Sequence, residues 1–117
     1  MSVDMLKRFE LLKCISVFYS FNGLQLDENV AKLLSEVPRH KLLLETDSPD
    51  QTPKTDFSPP CCLSAMTSLT DVCNEPANIV RTCAGVSALL DESFASIANA
   101  TARNSLLTFT GSPELLI

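Results

Sequence analysis

Histidine, glycine and positive charge are all scarce in this chain of 117 residues: one His, three Gly, and nine Lys and Arg against fourteen Asp and Glu. The resulting net charge of −5 argues against a generally basic nucleic-acid-binding surface, since phosphate binding leans on Lys and Arg. Five cysteines (Cys14, Cys61, Cys62, Cys73, Cys83) form no C-x-x-C pair, and one histidine cannot complete a structural zinc site. They read as reduced thiols, and nothing near Cys61-Cys62 lowers their pKa. No glycine-rich nucleotide loop and no internal repeat is present. No apolar run approaches the length of a membrane span, and residues 1–12 are charged rather than signal-like. The expected compartment is the cytoplasm, without a membrane partner.

What is present is an alternation of periods. Residues 3–13 carry Val3, Met5, Leu6, Phe9 and Leu12 at near-helical spacing, an amphipathic helix. Residues 15–21 are β-branched and aromatic, a strand ended by the turn chemistry of Asn22-Gly23. Leu26, Val30, Leu33, Leu34 and Val37 form one stripe of a second helix, with Asp27-Glu28 in its first turn and Pro38 as its stop. A second strand follows at 41–46, and two strands joined by a helix are expected to run parallel. Residues 50–73 form a long irregular loop holding Pro53, Pro59 and Pro60. Asn74, read as an N-cap, opens a helix to about Leu90, with Ile79, Val80, Cys83, Val86 and Leu90 inward. Asp91 or Ser93 caps a last helix with Phe94, Ile97, Ala98, Thr101 and Leu106 inward, and residues 110–117 form a frayed tail. The fold class is α/β: one domain over 1–117, with two parallel strands and about four helices.

The stretch Leu42-Leu43-Leu44-Glu45-Thr46-Asp47-Ser48-Pro49 organises the rest. Three leucines in a row read as a short strand buried on both faces. It ends in two carboxylates, whose burial would demand a metal ion, a base or hydrogen bonds in compensation. Alternation puts Leu43, Glu45 and Asp47 on one face. In parallel α/β architectures, chemistry sits at the C-terminal ends of strands. Asp47 is therefore the first candidate for a catalytic or metal-binding role, and a hard oxygen ligand there suits Mg²⁺, Mn²⁺ or Zn²⁺. On the residues alone, a turn cap on Ser48-Pro49 is the stronger reading of Asp47. Glu45, two residues earlier, reads as a supporting carboxylate. Ser20 and Asn22-Gly23 end the first strand on the same rim. Asn74 and Glu75 fit either that rim or a plain helix cap with a dipole-favoured acid. His40 starts the strand that Asp47 ends, near 20 Å away at about 3.3 Å per residue, and is not a metal ligand.

Residues 42–49, followed by Pro53 and by Asn74-Glu75-Pro76-Ala77, resemble the end of the TatD-type deoxyribonucleases, metal-dependent hydrolases of the amidohydrolase superfamily. Phe18-Tyr19-Ser20-Phe21-Asn22-Gly23 is similar to that family's preceding strand, and Ala100-Thr101-Ala102-Arg103-Asn104 to its last helix. The resemblance covers roughly 3–109. It implies a TIM-type (β/α)₈ barrel of which this chain holds the C-terminal quarter, because a complete barrel needs about 250 residues. It further implies that Asp47 ligates a divalent metal and helps deprotonate the attacking water, with DNA as substrate. The family draws its other ligands from a His-x-His pair, a Glu and two single histidines on earlier strands. One aspartate cannot hold a catalytic metal, so this chain alone is expected to be inactive. Two further readings stay open: a non-catalytic truncated product, and a small helical interaction module whose open strand edges a protein partner covers.

Overall fold

The structure, a computed structural model, describes residues 1–23, 26–51 and 74–112. Helix α1 (Val3–Glu10) starts on Ser2, whose Oγ accepts from Met5 N at 3.2 Å. Strand β1 (Tyr19–Phe21) leads through Asn22-Gly23 to helix α2 (Glu28–Glu36), capped by Asp27 through Val30 N at 3.0 Å. Val37-Pro38 turns extended, as a residue before proline must, and a 3₁₀ turn (Arg39–Lys41) feeds strand β2 (Leu42–Leu44). A second 3₁₀ turn (Pro76–Asn78) enters helix α3 (Ile79–Leu90), and helix α4 (Phe94–Thr110) closes the order.

β1 and β2 pair in parallel, Tyr19 opposite Leu42 and Phe21 opposite Leu44, with α2 as the crossover. This is the α/β class expected. One face of the pair is covered: Tyr19 and Leu42 are buried with Leu6, Leu33, Leu34, Val37, Cys83, Val86 and Ile97. The opposite face carries Ser20, half-buried Leu43 and, beyond the strand end, Glu45, with Ser20 and Glu45 exposed.

Both strands are shorter than expected. Ile15 is 55% exposed, and β-branched character cannot make a strand without a partner. Lys41 is taken by the 3₁₀ turn, so pairing begins at Leu42. α1 likewise ends at Glu10, short of Lys13. At the base of the sheet, Glu10 accepts from Lys41 Nζ at 2.7 Å and from Tyr19 Oη at 2.9 Å. The hydrogen bond from Lys41 chiefly holds the Glu10 carboxyl below its ordinary range, and burial followed by the bond to Glu10 pushes Tyr19 up to about 12.

α3 is buried along Arg81 to Ser87 and ends on Asp91 in the left-handed conformation, so Asp91 closes α3 and Ser93 opens α4. Ser93 Oγ accepts from Ser96 N at 3.1 Å. Asn104 of α4 donates to Arg39 O at 2.7 Å and Leu42 O at 2.8 Å, tying the last helix to the entry of β2. Cys83 is buried and Cys14 exposed, both free, and burial pushes the Cys83 thiol up to about 11. Cys61, Cys62, Cys73, most of the 50–73 loop and the end of the tail lie outside the described residues.

Candidate active-site rim

The C-terminal ends of β1 and β2 converge on Asp47. Glu45 N donates to Phe21 O at 2.9 Å, carrying the pairing one bond past the last strand residue. The chain then leaves the sheet and tightens into a turn: Ser48 N donates to Thr46 Oγ1 at 3.2 Å and Asp50 N to Asp47 O at 2.9 Å. Asn22, just past β1, reaches across. Its Nδ2 donates to Asp47 Oδ2 at 2.8 Å and to Gln51 Oε1 at 3.0 Å. Asp47 itself is exposed, and Oδ1 takes no hydrogen bond among the described residues.

The burial expected of the two carboxylates is therefore corrected: Glu45 and Asp47 are both exposed. The physical reason is the open face of the sheet. Carboxylates on it meet water, and the desolvation that would have demanded compensation does not arise. The turn-cap reading of Asp47 holds only through its backbone carbonyl, since its side chain is engaged by Asn22 instead.

Asn74 is also corrected. Its side chain caps no helix, because the 3₁₀ turn opens on Glu75 without a side-chain cap and α3 starts four residues after Glu75. Instead Asn74 Nδ2 donates to Asp50 O at 2.7 Å and Gln51 O at 3.3 Å, while its backbone N donates to Pro49 O at 3.0 Å. A buried asparagine thus holds the turn after Asp47 from the far side. Glu75 is exposed beside it, and its side chain makes no cap bond to the 3₁₀ turn.

Ser20 and Glu45 line an open groove of ≈ 250 Å³ with Phe21, Asn22, Gly23, Leu26 and, from α2, Val30. Gly23 sits at φ 74° against α3, where a Cβ would lie 2.8 Å from Thr82 Oγ1. That close approach lets Thr82 Oγ1 donate to Asn22 O at 3.1 Å. Ser20 and Glu45 line this groove, Asp47 is joined to it through Asn22, and Asn74 is buried behind the turn that follows. His40 is exposed in the turn before β2, at the opposite end.

Sequence reading missed Gln51 and Asn78 and undervalued Asn22. The sequence places Asn22-Gly23 on the rim as turn chemistry, without the bond from Asn22 to Asp47. Asn78 had one weak signal, its i+4 spacing from Asn74.

Rim geometry of this kind, at the ends of parallel strands, is where barrel hydrolases keep their chemistry. The profile of the family described as TatD related DNase matches residues 2–110. The chain belongs to the TatD-related DNase family. That makes it a relative of nucleases, hydrolases that are generally metal-dependent. No curated protein matches the chain. No helix among the described residues is long and apolar enough to cross a membrane.

The rim does not by itself fit a resident metal ion. Among the described residues, no three His, Cys, Asp or Glu side chains are grouped to hold one. Asp47 has an amide on one oxygen, and its neighbours Asn22 and Gln51 are neutral.

Proposed function

We propose that this chain supplies the closing wall of a DNA-hydrolysing site, with Asp47 as the carboxylate facing the reacting phosphate. The observation that carries the reading is the Asn22–Asp47 bond at 2.8 Å across the ends of two parallel strands. It anchors one carboxylate oxygen and leaves the other open at the rim, as an acceptor for a water proton requires. Ser20, Glu45 and Asn22 border the adjacent groove, where a nucleotide would lie. Asn74 supports the turn.

DNA is polyanionic, the rim carries Glu45, Asp47 and Asp50, and no Lys or Arg lines the groove among the described residues. A divalent ion (Mg²⁺, Mn²⁺ or Zn²⁺) is therefore the cofactor in this reading. By the family resemblance its remaining ligands lie on earlier strands of the barrel, so the chain alone is expected to be inactive. The matched residues correspond to the last two strands of a (β/α)₈ barrel, and the cytoplasm is their expected compartment.

A chimera tests the reading. Residues 2–110 replace the corresponding segment of a complete TatD-type enzyme, and DNA hydrolysis is assayed with Mg²⁺. The reading expects a folded chimera that cleaves DNA. A folded chimera without hydrolysis contradicts it.

One observation favours a non-catalytic second reading. Among the described residues each strand is paired along one edge only, and open edges invite a further strand. A protein partner covering them would serve an interaction module.

A further inference from the structure

Asn78 ends the 3₁₀ turn before α3 and is 0% exposed. It caps nothing: α3 has no side-chain cap bond there. Its Nδ2 donates to Asn74 Oδ1 at 2.9 Å, and its Oδ1 is buried with no hydrogen-bond partner among the described residues. Such an orphan is unfavourable, and a leucine of similar size would avoid it.

The orientation of Asn78 is nevertheless forced. Asn74 must turn its NH₂ toward the carbonyls of Asp50 and Gln51, which leaves its Oδ1 facing Asn78. Only an NH₂ can answer it, so the Oδ1 of Asn78 is left pointing away. The orphan acceptor is the consequence of presenting that donor.

The donor's effect travels outward. Asn74 grips Gln51, a non-glycine residue at φ 50°, through its carbonyl. A left-handed residue persists only when its surroundings hold it. Asn22 holds the same residue from the other side, through Oε1 at 3.0 Å, with the NH₂ that also binds Asp47 at 2.8 Å. The five side chains run from the buried start of α3 to the exposed rim.

We propose that Asn78, acting through Asn74, is a positioning residue for the Asp47 carboxylate. The proposal rests on the reading of Asp47 as the hydrolytic carboxylate, but its physical content is that the Asn22–Asp47 bond weakens when Asn78 is lost.

The test is solvent exchange of side-chain NH₂ groups in the ¹⁵N-labelled 117-residue chain, compared with Asn78→Leu. Exchange of the Asn22 NH₂ should accelerate at least tenfold while backbone amides of α4 stay within twofold, a local signature that general destabilisation does not give. Unchanged Asn22 exchange in a folded Asn78→Leu chain overturns the proposal, and so does uniform acceleration through α4. If Asn78→Leu does not fold, the unsubstituted chain decides. Its Asn22 and Asn78 NH₂ groups should exchange with the same dependence on low urea, and differing slopes overturn the proposal. The role of Asp47 is tested separately in the DNA-cleaving chimera. A chimera indifferent to Asp47 would remove the function and leave the exchange result standing.

Discussion

Replacing Asn104 by leucine should unfasten β2 from α4. Asn104 is 6% exposed and spends both amide protons on backbone carbonyls, Arg39 O at 2.7 Å and Leu42 O at 2.8 Å. The pairing register explains why the second bond matters. With Glu45 N donating to Phe21 O, alternation along β2 turns Leu42's carbonyl to the edge away from β1. No ladder bond can replace Asn104 there. Leu42 is fully buried, so its carbonyl is stranded, whereas half-buried Arg39 recovers water. One lost hydrogen bond near 1 kcal/mol plus one stranded buried carbonyl at about 1–3 kcal/mol gives a loss of about 2–4 kcal/mol. Against a typical domain stability of about 5–15 kcal/mol, that is a large fraction. Equilibrium urea unfolding followed by circular dichroism reads it out. With a slope of about 1.5 kcal/mol/M, the midpoint should fall by roughly 1.3–2.7 M. The exposed neighbour Arg103→Ala should stay within about 0.5 kcal/mol. A shift below roughly 0.3 M for Asn104→Leu would refute the reasoning.

Tyr19→Phe should flatten the alkaline stability limb. Burial raises the Tyr19 pKa from 10.0 to about 12, so its contribution is whole below pH 10 and lost as pH rises through about 12. That is about 2–3 kcal/mol over the window, measurable as urea midpoints against pH. Identical limbs for both proteins would contradict it. Gly23→Ala forces a φ of 74° on alanine and a Cβ 2.8 Å from Thr82 Oγ1, and should cost about 2–3 kcal/mol in the same assay. A neutral result would mean the approach to α3 is looser than described. The purified 117-residue chain should show no DNA hydrolysis with Mg²⁺, Mn²⁺ or Zn²⁺ and no stoichiometric metal binding by calorimetry. Turnover that scales with this chain would show that a single rim carboxylate suffices.

How much of this was legible in the sequence depended on distance along the chain. The triple leucine, the proline stop and the helix between two strands are local signals, and they gave the parallel pair, with Asp47 in the turn just past the end of β2. Strand length was not local. Ile15 has strand character, yet pairing is confined to three residues on each side, opposite Leu42–Leu44. Asn74 failed for a different reason. The same short amide serves as a helix cap or as a clamp on a distant turn, and only the geometry of the 3₁₀ turn decides between them. Asn22 meets Gln51 across 29 residues and Asn74 meets it across 23, separations no spacing rule reaches, and Asn78 joins them only through Asn74, four residues away. Burial of Glu45 and Asp47 was misjudged because an apolar run says nothing about which face remains uncovered.

The most direct measurement is the DNA-hydrolysis rate of the chimera carrying residues 2–110, with and without Asp47→Asn. The substitution keeps shape and the exposed position, so folding should be unchanged, while the open carboxylate oxygen that takes the proton is lost. The account predicts a fall in rate of about 10²–10⁴-fold, the range expected for a positioned acid–base group. A folded Asp47→Asn chimera that cleaves DNA at the parent rate would contradict it.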